Sequence, residues 1–323
     1  MNISHLPALA RVRFTFIAQD ALRLPPYAGS LWRGAFGHGL KQTVCVTRQP
    51  RCDGCLLRKG CVYSQVFESP PAPAKTVGQG AAIPHPFVLD VPTGQPRDRA
   101  AGDVLTLGMT LLGPALSHLP YVVHALRSAG ERGLGKGQTR VVLHEVLQEA
   151  PWSQGSGITL FSAPEGTLRP LQTIEPVVPP VPVSVHLEFT TPLRIKHQND
   201  LLGPREFRFP ALVKNLLWRL ESLARAWGGG TLGLPVADLL ASAEAVEAEY
   251  RLYWQDWTRY SSRQEVEMQM GGLMGHLTLG SPGLAALWPW LWRGQWVHAG
   301  KGTGFGLGAY RLMDSASLPE RAD

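Results

Sequence analysis

The chain has 323 residues, of which 44% are hydrophobic and 17% are charged. This length is about twice that of a usual domain of roughly 100–200 residues, and the composition excludes a disordered chain. The formal net charge is +6, which favours a polyanionic partner. Residues 1–150 hold 16 Lys and Arg against 9 Asp and Glu, whereas residues 186–323 hold 14 of each. We therefore expect two domains, of which the first attracts phosphates more strongly.

The start of the chain lacks the features of a targeting signal. Residues 1–10 (MNISHLPALA) have no basic segment, and they run directly into a strand-like sequence. No apolar run in the sequence reaches the length of about 20 residues that spans a bilayer. The sequence therefore predicts a cytoplasmic protein with no membrane association.

The first half predicts the order strand, helix, strand, strand, helix, strand. Residues 10–18 (ARVRFTFIA) alternate like a strand, and Ser30 is the expected N-cap of a helix over SLWRGAFGHGLKQ. A cysteine-rich insertion at residues 44–68 follows. Further strands are predicted at HPFVLDV, DVLTLGMTLL and TRVVLHEVL, with a helix at PALSHLPYVVHALRSAGERG. This order is the ferredoxin-like pattern.

The same order recurs in the second half. Residues 151–182 contain PWSQGSG and IEPVVPPVPV, which suit a linker or an edge segment. Strands are then predicted at VSVHLEFTT, VEAEYRLYWQDWTRYSS, LMGHLTLG and YRLM, and helices at FPALVKNLLWRLESLARAWG and LAALWPWLWRG. We therefore predict an α+β protein with tandem ferredoxin-like (RRM-like) βαββαβ domains at residues 1–150 and 183–323. The first domain carries the cysteine-rich, metal-binding insertion.

Four cysteines fall within 17 residues and are the only ones in the chain: Cys45, Cys52, Cys55 and Cys61. Cysteines clustered in this way in a cytosolic protein indicate a metal site more often than disulfides. The segment CVTRQPRCDGCLLRKGC looks like the [4Fe–4S] loop of iron–sulfur DNA glycosylases, and Zn²⁺ held by four thiolates is the alternative. We favour iron–sulfur because only Cys52 and Cys55 form the C-x2-C pair typical of zinc. A site with four protein ligands is expected to be structural.

Each predicted domain carries a glycine-rich, basic segment late in its order, at residues 133–137 (GLGKG) and 300–308 (GKGTGFGLG). Glycines let a backbone approach phosphates, and a lysine neutralises their charge. The second segment is neither a Walker loop nor a dinucleotide fingerprint. We predict that it contacts RNA through Gly300, Lys301, Gly302, Gly304, Gly306 and Gly308. A glycine-rich turn required for close packing is the alternative.

Four segments carry a resemblance to a known family: SLWRGAFGHGL, CVYSQVFE, RYSSRQEVEMQMGGLMGHL and VHAGKGTGFGLGAYRL. From about residue 10 to residue 313, the chain resembles the CRISPR repeat-processing endoribonucleases of the RAMP superfamily, in the branch with a cysteine-bearing insertion. The resemblance implies metal-independent cleavage of CRISPR precursor RNA within its repeats by 2′-hydroxyl attack, which leaves 2′,3′-cyclic phosphate and 5′-hydroxyl ends. It also implies retention of the mature guide RNA and association with other CRISPR effector subunits. A non-catalytic RNA-binding RAMP subunit is the alternative.

Such chemistry requires an acid or base near neutrality and a cation that stabilises the phosphorane oxygens. The resemblance places a catalytic histidine in or just after the first helix, which matches His38. Tyr27 and Lys41 are candidates for orienting or charge-stabilising roles, and His38 and Lys41 would share a helix face. Arg33 is a candidate RNA ligand. The alternative for His38 is packing against the sheet.

His298, beside the second glycine-rich segment, is the rival catalytic histidine, whereas His276 is expected to be structural. Arg259 and Arg263 are predicted to bind RNA phosphates. Aromatic residues near them could stack on bases or face the core, and these are Trp254, Trp257 and Tyr260.

An iron–sulfur DNA glycosylase is the alternative from a different class of protein. Only the cysteine spacing supports it. About 44 residues precede Cys45, which is too few for the helix-rich domain that those enzymes place before the loop.

Overall fold

The computed structural model describes residues 3–68, 83–135, 137–150, 157–172, 177–261 and 266–314, with backbone only at 258–261 and 266–269. The chain divides into two compact units. The N-terminal unit comprises Ile3–Glu175 and Ser222–Thr231, and the C-terminal unit comprises Pro176–Glu221 and the chain after Thr231. The division after Glu175 lies inside the proline- and glycine-rich stretch at residues 151–182.

The N-terminal unit is built on a five-stranded antiparallel sheet. In chain order its elements are a 3-10 turn at Ile3–His5, β1 (Leu9–Ala18), β2 (Leu22–Arg23), α1 (Gly29–Val44), α2 (Val62–Val66), β3 (Phe87–Asp90), β4 (Asp98–Arg99), β5 (Val104–Leu112), a 3-10 turn at Gly113–His118, α3 (Leu119–Arg132), β6 (Val141–Glu149) and β7 (Gly157–Ser162). The sheet order is β3-β5-β1-β6-β7. Its first four strands have the ferredoxin-like order, and β7 extends the edge beyond β6. This part of residues 151–182 is therefore an edge segment and not a linker.

Alternation in β1 places one face of the strand in the core. Val12, Phe14 and Phe16 are fully buried. Helix α1 covers this face, and the ring centroids of Trp32 and Phe16 are 5.1 Å apart. Full burial of such side chains stabilises the unit by roughly 1.5–3 kcal/mol each. The apolar residues of α1 therefore face the sheet, and the opposite face of the helix is accessible to solvent.

The C-terminal unit repeats this architecture. Its elements are β8 (Ser184–Leu193), β9 (Lys196–His197), β10 (Asp200–Leu201), α4 (Phe209–Trp227), α5 (Val236–Ala245), β11 (Glu247–Gln255), β12 (Thr258–Ser261), β13 (Val266–Gln269), β14 (Gly272–Gly280), α6 (Leu284–Val297), a 3-10 turn at Thr303–Phe305 and β15 (Tyr310–Asp314). The part of α4 up to Glu221 belongs to this unit, and the rest belongs to the N-terminal unit. The main sheet has the order β11-β14-β8-β15, which is again ferredoxin-like. The predicted tandem ferredoxin-like fold is therefore confirmed. None of the helices within the described ranges is both long and apolar enough to cross a bilayer.

Three local predictions were wrong. Helix α1 begins at Gly29 with Ala28 as N-cap, so Ser30 lies inside the helix. The strand predicted over residues 246–262 ends at Gln255, and β12 instead pairs with β13 in a separate hairpin. Burial of Trp257 and a hydrogen bond from Trp254 Nε1 to Asp256 (2.8 Å) accompany this break. Helix α6 continues to Val297, about one turn further than predicted.

Candidate active site and nucleic-acid interface

His38 lies on the exposed face of α1, between two glycines that are buried. A Cβ atom on Gly39 would overlap the carbonyl oxygen of Ala125 in α3 and lie 3.0 Å from its carbonyl carbon. A Cβ atom on Gly37 would lie 2.7 Å from Cε2 of Phe67. The glycines thus allow close packing on both sides of α1, while His38 is left on the solvent side. The alternative in which His38 packs against the sheet is wrong.

Lys41 and Tyr27 differ in their exposure. Lys41 is partly exposed, and its Nζ donates a hydrogen bond to the carbonyl oxygen of Pro50 (2.8 Å) and lies 5.7 Å from the ring centroid of Tyr63. Tyr27 is only 7% exposed, and burial raises its pKa far above the usual value of about 10. Near neutral pH, Tyr27 keeps its proton and cannot act as a phenolate base. The catalytic roles of both residues stay predictions.

Arg33 lies within a group of aromatic rings. The centre of its guanidinium is 4.3 Å from the ring centroid of Phe67, a distance typical of a cation–π contact. Its Nη2 donates to His85 Nε2 at 3.2 Å. His85 in turn stacks on Phe87. The contact of Arg33 with His85 could not be predicted from the sequence, because the two residues are 52 positions apart. The predicted contact of Arg33 with RNA stays a prediction.

All four cysteines are free thiols of intermediate exposure and line one pocket of about 450 Å³. Cys45 follows α1 directly, and its N–H donates to the carbonyl oxygen of Lys41 at 2.9 Å. Cys61 precedes α2. Cys52 and Cys55 are joined by a turn in which Cys55 N–H donates to the Cys52 carbonyl (3.2 Å). Among the described residues, no three Cys, His, Asp or Glu side chains are close enough together to form a complete metal site.

The second glycine-rich segment forms a hydrogen-bonded loop between α6 and β15. Four glycines of the loop have positive φ values, which residues with a side chain rarely adopt. These are Gly300 (76°), Gly302 (84°), Gly306 (86°) and Gly308 (71°). Many of the loop's amides already donate within the unit, and these are the N–H groups of Gly300, Lys301, Phe305, Gly306, Leu307 and Gly308. The close-packing interpretation therefore accounts for these glycines. Gly304 lies in the 3-10 turn at Thr303–Phe305, and the side chain of Lys301 is exposed.

His298 is buried at the base of this loop. It is 2% exposed, has a φ of 59°, and its Nδ1 donates to the carbonyl oxygen of Leu307 at 3.3 Å. His276 is partly exposed on β14, and its ring centroid lies 4.4 Å from that of His186. His298 could therefore touch RNA only after a local rearrangement, whereas His38 requires none.

The predicted arginine pair lies mostly outside the described residues. Arg259 belongs to β12, where only the backbone is described, and Arg263 falls in the segment 262–265. Of the aromatic residues near them, Trp257 is buried and Trp254 is partly exposed. The core alternative therefore applies to Trp257, and the two arginines stay predictions.

Two family models match the chain in succession, and their border falls near the division between the units. The model AF_1859_N, described as an N-terminal domain, matches residues 6–173. The model of the CRISPR-associated endoribonuclease Cas6 matches residues 187–310.

Residues 187–310 therefore carry a Cas6 domain.

Relatives of this chain with its Cas6 domain are distant in sequence. An uncharacterized protein of Archaeoglobus fulgidus is 23% identical over 236 residues, which are 70% of this chain and 72% of the relative. A partial Cas6-RT-Cas1–Cas2 complex matches with a TM-score of 0.58 and 14% identity, over 100% of this chain and 49% of that one. The chain thus spans about half the length of that matched protein. A product complex of Thermus thermophilus Cas6 matches with a TM-score of 0.55 and 16% identity, over 95% and 99%. At these identities, the two structural matches show the fold alone.

A surface that the sequence analysis missed is the outer face of the C-terminal sheet. The strand registers place Arg251, His276, Glu188 and Arg311 in one row across β11, β14, β8 and β15. Arg251 and Arg311 are exposed, and Tyr253 on the same face of β11 is 55% exposed. The alternation E-x-E-x-R-x-Y in β11 was the available signal. A four-stranded sheet face with basic and aromatic side chains can bind single-stranded RNA.

Proposed function

We propose that this protein, which carries a Cas6 domain, cleaves CRISPR precursor RNA within its repeats, without a metal ion in the reaction. In the proposed step, the ribose 2′-oxygen forms a bond to the adjacent phosphorus as the bond to the 5′-oxygen breaks. A base removes the 2′-hydroxyl proton, and an acid protonates the leaving 5′-oxygen. The products are a 2′,3′-cyclic phosphate and a 5′-hydroxyl.

The exposed position of His38 on α1 supports its role as the general acid or base. Histidine is the side chain that most often serves as a general acid or base in enzymes. Gly37 and Gly39 hold the helix backbone close to its neighbours, which fixes the direction in which His38 projects. Lys41 lies one helical turn further on, where a cation can stabilise developing negative charge.

We further propose that the protein retains the mature guide RNA and binds other CRISPR proteins. The matched structures include a Cas6 product complex and a partial Cas6-RT-Cas1–Cas2 complex, which supports both partner classes. The outer sheet face with Arg251, Tyr253 and Arg311 is the proposed place of retention. Within the glycine-rich loop, Lys301 is the residue proposed to bind an RNA phosphate.

The test is cleavage of a CRISPR repeat RNA in EDTA, compared with copies that carry 2′-deoxyribose at single positions. We expect one deoxy position to abolish cleavage, because its 2′-oxygen is the nucleophile. His38→Ala is expected to slow cleavage by about 10²–10⁴-fold with RNA affinity unchanged. The matched control is His124→Ala, because His124 is an exposed histidine on α3 of the same unit.

The possible results separate the candidate functions. Normal cleavage by His38→Ala would contradict the role of His38 and direct attention to His298. Tight RNA binding with no cleavage by the unchanged protein would instead favour the non-catalytic RNA-binding subunit. Cleavage that stops in EDTA and returns with Mg²⁺ would contradict the metal-independent chemistry.

A further inference from the structure

The loop at residues 46–60 lacks an apolar core of its own. It contains neither a helix nor a strand, and loops of this length are uncommon unless they serve a function. Its large apolar side chains point outward: Val46 is 81% exposed, Leu56 is 98% exposed and Leu57 is 51% exposed. Hydrophobic burial therefore does not explain how this loop is held.

Polar contacts within the loop are few and solvent-exposed. Asp53 is 64% exposed and lies 3.2 Å from Arg51 and 3.5 Å from Arg58. Ion pairs at such exposure contribute roughly 0–1 kcal/mol. Two side-chain hydrogen bonds join the loop to its flanking helices: Lys41 Nζ donates to the Pro50 carbonyl (2.8 Å) and Gln65 Nε2 donates to the Lys59 carbonyl (3.1 Å). A stronger constraint is needed to give the loop one conformation.

The four cysteines are placed where such a constraint would act. Cys45 and Cys61 stand at the two ends of the loop, each next to a helix, and Cys52 and Cys55 form its central turn. Thr47 Oγ1 is 3.8 Å from the Sγ atoms of both Cys45 and Cys55, so a residue from the end and one from the centre approach the same point. All four line the same pocket.

We propose that Cys45, Cys52, Cys55 and Cys61 bind one metal centre as thiolates, and that this centre fixes the loop to the end of α1. Four thiolates are the ligand set of structural zinc and of iron–sulfur clusters. A zinc ion with bonds of about 2.3 Å requires neighbouring sulfurs about 3.8 Å apart. Among the described residues, no three of these side chains are close enough together to hold a single ion. A [4Fe–4S] cluster is therefore favoured over zinc, because its four thiolates bind four separate iron atoms.

The proposed centre has a consequence for RNA, which rests on the proposed function. Cys45 lies seven residues after His38, about two helical turns along α1. Arg48, Arg51 and Lys59 are exposed on the loop that the centre would hold. A fixed loop presents these cations to phosphates near the end of the helix that carries His38. The centre is therefore a positioning device for a basic loop and takes no part in bond cleavage.

The test begins with metal and sulfide analysis of protein purified without oxygen. We expect about one centre per chain in the unchanged protein, and its loss in Cys55→Ser and Cys61→Ser. The control is Leu56→Ser, which alters a 98% exposed side chain of the same loop and is expected to keep the metal. Iron with inorganic sulfide would support the cluster. Zinc alone would overturn the cluster and retain the four-thiolate site.

Limited trypsin digestion gives a second measurement that needs no RNA. Trypsin cuts after Arg48, Arg51 and Lys59, and we expect cutting at these sites to be roughly tenfold faster in the cysteine variants, because the loop opens. Circular dichroism shows whether those variants remain folded. The proposal would be overturned if the unchanged protein, purified without oxygen, contained no metal and was digested at the same rate as folded Cys55→Ser.

Failure of this inference can be told from failure of the proposed function. Metal content and trypsin digestion are measured without RNA, so they do not depend on cleavage. His38→Ala is expected to keep the metal and lose cleavage. Cys55→Ser is expected to lose the metal and bind repeat RNA at least about threefold more weakly, with a smaller dependence of affinity on salt.

Discussion

Two glycines in α1 allow the packing of the candidate active-site helix to be tested with a matched pair of variants. A Cβ atom added to Gly34 has nothing within 4 Å, and Gly34 is exposed. Alanine in a helix interior is more favourable than glycine by about 0.8–1.0 kcal/mol. We therefore expect Gly34→Ala to raise the free energy of unfolding by about 1 kcal/mol and to leave cleavage unchanged.

Gly39→Ala gains the same helix propensity but introduces an overlap with the carbonyl oxygen of Ala125. The obstacle is a backbone atom, so it cannot rotate away, and overpacking of this kind costs about 1–3 kcal/mol. The net result is a free energy of unfolding that is unchanged or up to about 2 kcal/mol lower. The difference between the two variants, about 1–3 kcal/mol, measures the contact between α1 and α3.

The assay is thermal unfolding followed by circular dichroism, in which 1 kcal/mol corresponds to about 2–4 °C in a domain of this size. Gly39→Ala should melt below Gly34→Ala by several degrees, and it should also cleave more slowly because His38 is displaced with the helix. Equal stabilisation by both substitutions would refute the close approach of α1 to α3, and with it the account of how His38 is oriented.

Two further predictions concern buried polar groups. Thr191 is 1% exposed, and its hydroxyl donates to the Gly306 carbonyl and accepts from the Ala309 N–H, both at 2.8 Å. Thr191→Val should lower the free energy of unfolding by about 1–3 kcal/mol for each of these two backbone groups that loses its hydrogen bond. An unchanged midpoint of urea denaturation would contradict this role of the Thr191 hydroxyl. Burial raises the pKa of Tyr27 and of Tyr310 above about 10, so the folded protein keeps protons that the unfolded chain loses. Stability should fall above pH 10 by up to about 1.4 kcal/mol per pH unit for each tyrosine, and an equally steep fall in a Tyr27→Phe, Tyr310→Phe double variant would contradict that origin.

The sequence predicted the fold because its main strands and helices carry strong local patterns. Alternation in β1 and the spacing of apolar residues in α1 each identify a face that must be buried. These faces determine which side of the sheet the helices cover. The order of elements then suffices for the ferredoxin-like assignment, which the structure confirmed. The Cas6 model matches residues 187–310, which agrees with the family suggested by the motifs.

The errors arose where contacts between distant residues decide the conformation. Residues 246–262 look like one strand, but the strand ends at Gln255 and Trp257 is buried just beyond it. Helix α5 was missed because VADLLASAEA has no clear apolar face in the sequence. Glycines that allow phosphate contact and glycines that allow close packing are the same residue type, so only the structure could assign the second role to Gly300 and Gly308.

The placement of β1 at the centre of its sheet has a consequence for folding. Leu9 pairs with Leu112 on one side, and Val12 pairs with Gln148 on the other. About 150 residues must therefore leave the ribosome before the first strand has both neighbours, which gives the unit the many long-range contacts of a slow folder. A chain that stops before β6 would expose one edge of β1, and such an unpaired edge promotes aggregation. A shortened chain that ends after Glu149 should thus be expressed with a larger soluble fraction than one that ends after Arg132.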